Sequence, residues 1–245
     1  MREVLADIIK HTQGVGFFTD IRVSNTGKEA VIEAMESGKT VVMEASILEP
    51  FKDITGDFGL GRLSILQGYL NFPNYKTDDA TITVNYKDRG DKKNVPEDMV
   101  FDDGNGQKSV YRFMSYDMIP YAKFTGTKWD VKFEPSRTKI QEFQTLAGIL
   151  GSNEPYFLAK TEDGKLKFLI GEEDSASDRT EIVMSDSVDG ELKGDLYWPS
   201  DKIISILKLG MDENPVIEIM NRGALQITIT SSKVKYKFIL PARRR

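Results

Sequence analysis

The sequence predicts an α+β fold in which one domain occurs twice. Short amphipathic helices alternate with strand-like runs, and the order helix, meander, helix, hairpin, last strand occurs in each half of the 245 residues. The first helices match at Leu5 and Phe143, and the second helices match at Leu63 and Ile203, at nearly the same offset. Such a long period indicates a duplicated domain, because solenoid repeats recur every ~20–50 residues.

The first half opens with an amphipathic helix and continues as strands. Val4, Leu5, Ile8 and Ile9 form one apolar stripe at helical spacing. A second helix over 60–70 ends before Pro73, because proline disfavours helical backbone in the residue before it. Strands are predicted at 17–23, 30–35, 40–47, 81–86 and 109–114, with a polar stretch over 88–108.

The second half repeats this order after a connector. Ser136 is the predicted N-cap of a helix whose apolar stripe contains Ile140, Phe143 and Ala147, and another helix starts at 199–201. Strands are predicted at 156–159, 166–170, 181–184, 194–198, 216–220, 225–231 and 235–240. The predicted organisation is an N-terminal domain over 1–116, a connector over 117–132 and a C-terminal domain over 133–245.

Two strand pairs extend the repeat beyond the helices. The segment 80–84 (Ala-Thr-Ile-Thr-Val) matches 215–219 (Pro-Val-Ile-Glu-Ile), and 110–113 matches 235–238 near the end of the chain. Each match is weak by itself, but all four occur in the same order. The two halves are therefore expected to share one fold.

Composition excludes several classes of chemistry. The chain has no Cys and one His, so it can form no disulfide, thiol nucleophile, Cys-ligated metal centre or two-His metal motif. Its formal net charge of −5 argues mildly against a protein that binds DNA through a general positive field. No signal-like or membrane-spanning apolar run is present, so a soluble cytoplasmic protein is expected, in the host cytoplasm if it is phage-encoded. No cofactor is expected.

Two segments imitate nucleotide-binding motifs without meeting their requirements. Residues 33–40 end in Gly-Lys-Thr, but Glu33 stands where a P-loop needs glycine, and a hairpin turn is the better interpretation. Residues 59–64 have Ser64 in place of the third glycine of a dinucleotide motif, so they are interpreted as the start of a helix.

The remaining polar clusters give no positive evidence of catalysis. Neither 171–178 nor 102–106 follows the ligand spacing of a calcium loop, and both are interpreted as solvated loops. His11 is expected to be partly exposed and inert, since no nucleophile motif accompanies it. A catalytic site made of carboxylates that come together only in the folded chain stays an open alternative at this point.

The polar faces of the four helices carry the functional signal. By itself each such face is typical of a solvated surface. If both halves place their helices on the same side of a sheet, the four faces form one polar surface. The residues opposite the apolar stripes are Glu3, Ala6, Lys10, Ser64, Gln67, Asn71, Arg137, Gln141, Thr145, Asp201, Ser205 and Lys208.

The whole pattern resembles the DNA polymerase sliding clamps, the processivity factors that include proliferating cell nuclear antigen and the tailed-phage clamps. The likeness lies in the paired helices of each half, the connector, the segments 16–23 with 30–36 and 215–219 with 223–227, and the ending 235–242. The length suits a phage clamp, whereas the polar segment 88–108 departs from the common pattern.

The resemblance implies antiparallel sheets with all helices on one face, and three chains closed into a ring around duplex DNA. Such a homotrimer has no enzymatic activity, requires an ATP-dependent clamp loader, and tethers the DNA polymerase without reading sequence. Helix cations would face the phosphates, which occur every ~1.7 Å of duplex axis. The predicted DNA-facing residues are Lys10, Arg62, Lys76, Arg137, Lys202 and Lys208.

The resemblance also implies an apolar pocket for partner peptides near the connector and the C-terminal strand. Its predicted residues are Met118, Ile119, Tyr121, Leu240 and Pro241. The same residues could instead seal the junction of the two domains.

Two other classes of function stay open at this point. A phage tail or baseplate protein built from duplicated β domains would explain the repeat and the acidity, but not the four matched helices. A hydrolase with carboxylate catalysis would need a motif that the sequence does not show.

Overall fold

The computed structural model describes residues 1–49, 51–126, 128–151, 153–171 and 178–243. The chain divides into two compact units: Met1–Lys123 with Ser231–Tyr236, and Phe124–Thr230 with Lys237–Arg245. The division after Lys123 falls within the segment 117–132, and the domain boundaries expected from sequence stay a prediction.

Most elements of the first unit come from the first half of the chain. Two helices and seven strands follow one another, with short 3-10 turns at Gln13–Val15, Pro73–Lys76 and Tyr116–Met118. They are α1 (Arg2–Thr12), β1 (Asp20–Asn25), β2 (Ala30–Met35), β3 (Val42–Ile47), β4 (Gly56–Gly61), α2 (Leu63–Asn71), β5 (Thr81–Arg89), β6 (Lys92–Asp102) and β7 (Lys108–Arg112).

The second half of the chain supplies two further helices and eight strands. They are β8 (Val131–Phe133), α3 (Arg137–Leu150), β9 (Tyr156–Glu162), β10 (Lys165–Ile170), β11 (Thr180–Ser185), β12 (Tyr197–Pro199), α4 (Ser200–Leu209), β13 (Val216–Met220), β14 (Ala224–Thr230) and β15 (Val234–Pro241).

The strands of the first unit lie in antiparallel order. β4, β1, β2 and β3 are neighbours, and the beginning of β15 lies beside β3, where Leu48 N donates to Lys233 O at 2.9 Å. β5, β6 and β7 form a separate three-stranded sheet. Buried and exposed residues alternate along β1 and β2, as expected for a sheet with one face in the core.

The second unit repeats the antiparallel arrangement. β11, β10, β9 and β12 form a four-stranded sheet, while the remainder of β15 is followed in order by β14, β13 and β8. In the pairing of β13 with β8, Ile217 lies opposite Phe133 and Ile219 lies opposite Val131. β8 is therefore the outermost strand on this side, and it covers the edge of β13.

The apolar stripes predicted from sequence form the cores. Leu5, Ile8 and Ile9 of α1 are buried, as are Leu63, Leu66 and Leu70 of α2. In the second unit the core is aromatic. Phe143 lies 5.1 Å from Phe157 and 5.3 Å from Phe168 between ring centroids, in edge-to-face geometry. The spacing of apolar residues alone identified these faces, because burial of one side of a helix requires apolar residues at that spacing.

Several local predictions are confirmed. The Oγ of Ser136 accepts a hydrogen bond from the backbone N–H of Lys139 at 3.3 Å, so it caps α3. A turn joins β2 to β3, where Glu36 N donates to Val41 O at 2.9 Å, and no phosphate loop forms there. The polar residues 102–106 form the turn from β6 to β7, with the Asp103 carboxylate accepting from the backbone of Asn105 and Gln107. The predicted loop at 171–178 lies largely outside the described residues.

The polar segment 88–108 is a correction to the sequence prediction. Instead of an irregular stretch it continues β5 and forms β6, because its few apolar residues are in the core: Met99 and Phe101 are fully buried. Asp98 is buried as well, and Asn85 and Arg112 satisfy its carboxylate at 2.8 and 3.2 Å. The charged residues that suggested a loop are paired across the strands.

The expectation for His11 is wrong. Its side chain is fully buried and stacks on the Tyr236 ring, with centroids 4.3 Å apart. The early strand starts at Asp20 instead of residue 17, and two short strands, β4 and β8, were missed. Four of the six residues of β4 are glycine or aspartate, and β8 has only three residues, so neither strand gives a clear period-2 signal.

Candidate nucleic-acid interface

In the first unit, α1 and α2 pack against one another. The Arg2 guanidinium, at the start of α1, donates to the carbonyl of Leu70, in the last turn of α2, at 3.4 Å. The beginning of one helix therefore lies beside the end of the other. This contact also satisfies one of the carbonyls that a helix leaves without an internal partner at its C-terminus.

In the second unit, α3 and α4 pair in the same way. Arg137, the first residue of α3, forms a 2.7 Å ion pair with Asp212, which follows α4. At the other end, Ser200 N at the start of α4 donates to Pro155 O at 2.9 Å, just after α3. Each unit therefore carries one antiparallel pair of short helices.

The outward faces of these helices are polar, as the sequence predicts. Glu3, Ala6 and Lys10 of α1 are all exposed, on the side opposite the buried stripe. Acidic Asp201 lies in the first turn of α4 and basic Lys208 in its last turn, and both charges interact favourably with the helix dipole. Of the other predicted face residues, Ser64, Asn71, Arg137, Gln141 and Thr145 are exposed, and Gln67 and Ser205 are half-buried.

Four of the six predicted DNA-facing cations lie directly on helices. Lys10 and Lys208 are exposed, each in the last turn of its helix. Lys202 is half-buried on α4, and Arg137 is exposed but held by Asp212. An exposed pair of this kind contributes at most ~1 kcal/mol, so a phosphate could compete for the guanidinium.

The other two cations flank α2. Arg62 precedes the helix with a left-handed backbone (φ 52°), and its guanidinium reaches the carbonyl of Arg112 at 3.4 Å. Lys76, in the 3-10 turn after α2, donates from Nζ to the side-chain oxygen of Asn71 at 3.3 Å. The exposed face of α2 itself is uncharged, since it contains Ser64, Ile65, Gly68 and Asn71. The role of all six cations in DNA binding stays a prediction.

Sequence reasoning missed Arg2 as a member of this surface. It is the first residue of α1, as Arg137 is of α3, and both side chains reach the partner helix or the residues after it. The helix alignment through Leu5 and Phe143 does not superpose the two arginines, so their equivalence comes from their positions in the structure. Burial lowers the pKa of Arg2 from its usual value.

The connector is anchored to the first unit by a stacked arginine. The Arg22 guanidinium lies between two rings, 4.8 Å from Tyr116 and 4.6 Å from Tyr121. Its Nε donates to Glu33 at 2.6 Å, and the Tyr121 hydroxyl donates to Glu44 at 2.6 Å. Burial, followed by the bond to Glu44, raises the pKa of Tyr121.

The residues predicted for a partner-peptide pocket differ in exposure. Met118 is 72% exposed in the first unit, whereas Ile119 is buried and Tyr121 is half-buried. In the second unit Leu240 is buried and Pro241 is exposed. Met118 and Pro241 are therefore the two side chains of this set that are most available to a ligand, and the pocket stays a prediction.

Metal-binding clusters and membrane-spanning helices were sought in the described part of the chain. Among those residues no group of three His, Asp or Glu side chains could hold a metal ion. No helix among them is both long and apolar enough to cross a membrane.

Solved structures share this architecture over the full length of the chain. Proliferating cellular nuclear antigen from Entamoeba histolytica matches with a TM-score of 0.69 and 11% identity, covering 99% of this chain and 96% of that chain. A. fulgidus PCNA, solved with the C-terminal region of FEN-1, matches with a TM-score of 0.67 and 9% identity, covering 100% and 94%. The PCNA2–PCNA3 complex from Sulfolobus tokodaii gives 0.62 and 12%, covering 99% and 96%.

No protein-family model matches the sequence, and no curated protein matches it. The class of protein is therefore assigned from the fold alone. The fold is a two-unit α+β architecture with antiparallel sheets and a pair of short helices in each unit. That architecture is the DNA sliding-clamp fold, as the sequence resemblance implied.

Proposed function

We propose that the protein is a DNA polymerase processivity factor, a non-enzymatic sliding clamp that encircles duplex DNA and tethers the replicative polymerase. The observation that carries this proposal is the matched pair of short helices in each unit of a sliding-clamp fold, with polar exposed faces. Phage origin fits the length of the chain.

DNA would be held by topology more than by affinity. The exposed helix cations are few, and acidic Glu3 and Asp201 lie among them. Contacts of this kind reach only the phosphates, so they position the duplex without reading its sequence. Weak contacts are also exchanged readily, which sliding requires. An ATP-dependent loader would open the ring.

A closed ring needs two different surfaces that fit each other, because a head-to-tail interface is heterologous. Two free strand edges fit this requirement: β7 at the edge of the three-stranded sheet, and β11 at the edge of the four-stranded sheet. Val110 on β7 is 48% exposed, and among the described residues β7 pairs with β6 alone.

The repeat favours these two edges over the others. In the first unit β3, the third strand of the N-terminal half, lies beside the start of β15, the last strand of the C-terminal half. The equivalent strands with the halves exchanged are β11 and β7. Pairing β11 of one copy with β7 of the next would repeat that contact between chains, and three copies would give six domains.

Product length on a primed circular template tests the function. We expect longer products from the cognate polymerase when this protein and the cognate loader with ATP are both present, and no change when the loader is omitted. A linear template with free ends serves as the topological control, since a clamp slides off it. Unchanged product length on circular DNA with all components present would overturn the proposal.

Partner binding is expected at an apolar peptide site. A. fulgidus PCNA binds the C-terminal region of FEN-1. By analogy the polymerase would use such a segment here, at Met118, Ile119, Tyr121, Leu240 and Pro241. Met118→Glu is expected to abolish polymerase stimulation while leaving the oligomer intact, because Met118 is exposed.

A further inference from the structure

The β5 strand has an edge without a partner strand. It is nine residues long, and among the described residues it pairs only with β6. Alternate residues of an edge strand direct their backbone N–H and C=O groups outward, where they can bond to another extended chain. The register with β6 shifts after Asn85 and again after Lys87, so Thr81–Asn85 is the regular part of this edge.

The second unit shows what occupies the equivalent position. The repeat aligns 80–84 with 215–219, so β5 corresponds to β13. β13 is paired on both sides, with β14 and with β8. The triplet Val131–Phe133 of β8 covers the edge, with its two apolar residues opposite Ile219 and Ile217.

The residues of β5 are less buried than their equivalents in β13, as expected for a strand that is paired on one side only. Ile217 and Ile219 are both 0% exposed, whereas their counterparts Ile82 and Val84 are only half-buried. The polar residue between them follows the same trend, since Glu218 is half-buried and Thr83 is exposed. Among the described residues, no strand of the first unit covers β5 as β8 covers β13.

We infer that the β5 edge is a binding site for an extended segment of a partner protein, added antiparallel to β5. Its centre would be an apolar–polar–apolar triplet opposite Val84, Thr83 and Ile82, as in the β8 register. Backbone hydrogen bonds would supply affinity, and the two apolar side chains would supply specificity.

The charged residues beside β5 predict the charges that flank the apolar triplet in the partner segment. At the end of β5, Lys87 and Arg89 are exposed, and Asp88 between them is paired with Lys93 at 3.0 Å. Lys87 itself lies 4.0 Å from Glu97, so it is only loosely paired. Asp78 and Asp79 are exposed just before the start of β5. An antiparallel segment runs from the basic end to the acidic end. The partner is therefore expected to carry acidic residues before its apolar triplet and basic residues after it.

This edge is distinct from the edge assigned to ring closure. β5 and β7 are the two outer strands of one three-stranded sheet, so closure through β7 leaves β5 open. The segment Thr81–Asn85 also has no charge and no proline, the devices by which edge strands usually avoid pairing. Its residues are instead typical of strands that pair.

A synthetic peptide EEEEDVKFKKKK tests the site, because its VKF copies Val131–Phe133 and, in the same register, its ends reach Arg89 and Lys87 on one side and Asp79 and Asp78 on the other. Fluorescence anisotropy of the labelled peptide with the full chain is expected to show saturable binding. Hydrogen exchange is expected to slow at 82–85 on binding. A peptide with consecutive prolines in place of VK loses a backbone donor that must face β5, and is expected not to bind.

Charge reversal locates the site without disturbing the core. K87E/R89E is expected to weaken peptide binding about fivefold to tenfold at low salt, since it converts two attractive exposed contacts into repulsive ones. The peptide KKKKDVKFKKKK, reversed only at the end that faces residues 87 and 89, should regain that loss with the variant. K235E/K237E, at two exposed strand lysines of β15, is the matched control and should bind as the wild type does.

Three results would overturn this inference. They are saturable binding that the proline peptide reproduces, binding that K87E/R89E leaves unchanged, and protection that appears in β7 or β11 instead of 82–85. Concentration-dependent protection of 82–85 without peptide would identify a second copy as the occupant, which also contradicts a partner protein. None of these results depends on polymerase stimulation, so the site and the clamp function are tested separately.

Discussion

The Tyr236 hydroxyl donates a 2.7 Å hydrogen bond to the carboxylate of Asp7, across 229 residues of sequence. The hydroxyl of Ser231 donates to the same oxygen at 2.9 Å. The His11 ring stacks on Tyr236, and its Nδ1 lies 2.9 Å from the carbonyl of Asp7. This network fixes the start of β15 to α1 within the first unit.

Removal of the Asp7 carboxylate should therefore destabilise the protein. Asp7→Ala leaves the fully buried Tyr236 without its acceptor, and we expect the free energy of unfolding to fall by about 1–3 kcal/mol. Tyr236→Phe should cost less, about 1 kcal/mol, because the Asp7 carboxylate still accepts from Ser231. Urea unfolding followed by circular dichroism measures both. Asp91→Ala, at an exposed turn, is the matched control and should be neutral.

Reversal of three helix cations should weaken DNA retention without loss of oligomer. The variant K10E/R137E/K208E places carboxylates where phosphates would lie, and each lost contact reduces the salt slope of log K by about 0.9. Retention on circular DNA after loading, measured across salt concentrations, reports the change. K123E/K165E/K193E carries the same change in net charge at exposed lysines outside the helices.

If that control variant is equally impaired, net charge and not helix position is responsible. Dissociation of the oligomer by K10E/R137E/K208E would show instead that the helix surface is an interface between subunits. Sedimentation equilibrium of each variant distinguishes these outcomes.

A charge at the β7 edge should open the ring. Val110→Asp puts a carboxylate on the edge strand assigned to the subunit interface, and burial of that unpaired charge is costly. We expect subunit association to weaken at least about tenfold in sedimentation experiments. Val31→Asp is a matched control, because Val31 is also an exposed strand valine, 41% against 48% for Val110. Equal association of both variants would exclude β7 as the interface.

Stability should fall in the alkaline range. Burial raises the folded-state pKa of Tyr111 and Tyr121 above the unfolded value near 10. The neutral phenol is favoured on folding, so its stabilisation is complete below about pH 10 and is lost as pH rises through the folded pKa. Tyr121→Phe should reduce the slope of unfolding free energy against pH between 10 and 11. An unchanged slope would show that Tyr121 does not contribute.

Part of the site followed from sequence because periodicity reports burial directly. The stripe of Leu5, Ile8 and Ile9 defined which face of α1 is inward, and hence that Lys10 is outward. The cap at Ser136 followed from local chemistry alone. The repeat was visible because equivalent positions in two similar units are subject to the same packing constraint.

The sequence by itself determined the duplication, the four amphipathic helices and the side of each helix that is exposed, since these depend on residues close together in the chain. Only the tertiary structure decided that Asp98 is a buried strand residue, that His11 stacks on Tyr236, and that Arg62 reaches Arg112. The unpaired edge of β5 belongs to the same group. Pairing between distant segments sets each of these features, and no local pattern specifies which segment, if any, will lie alongside a given strand.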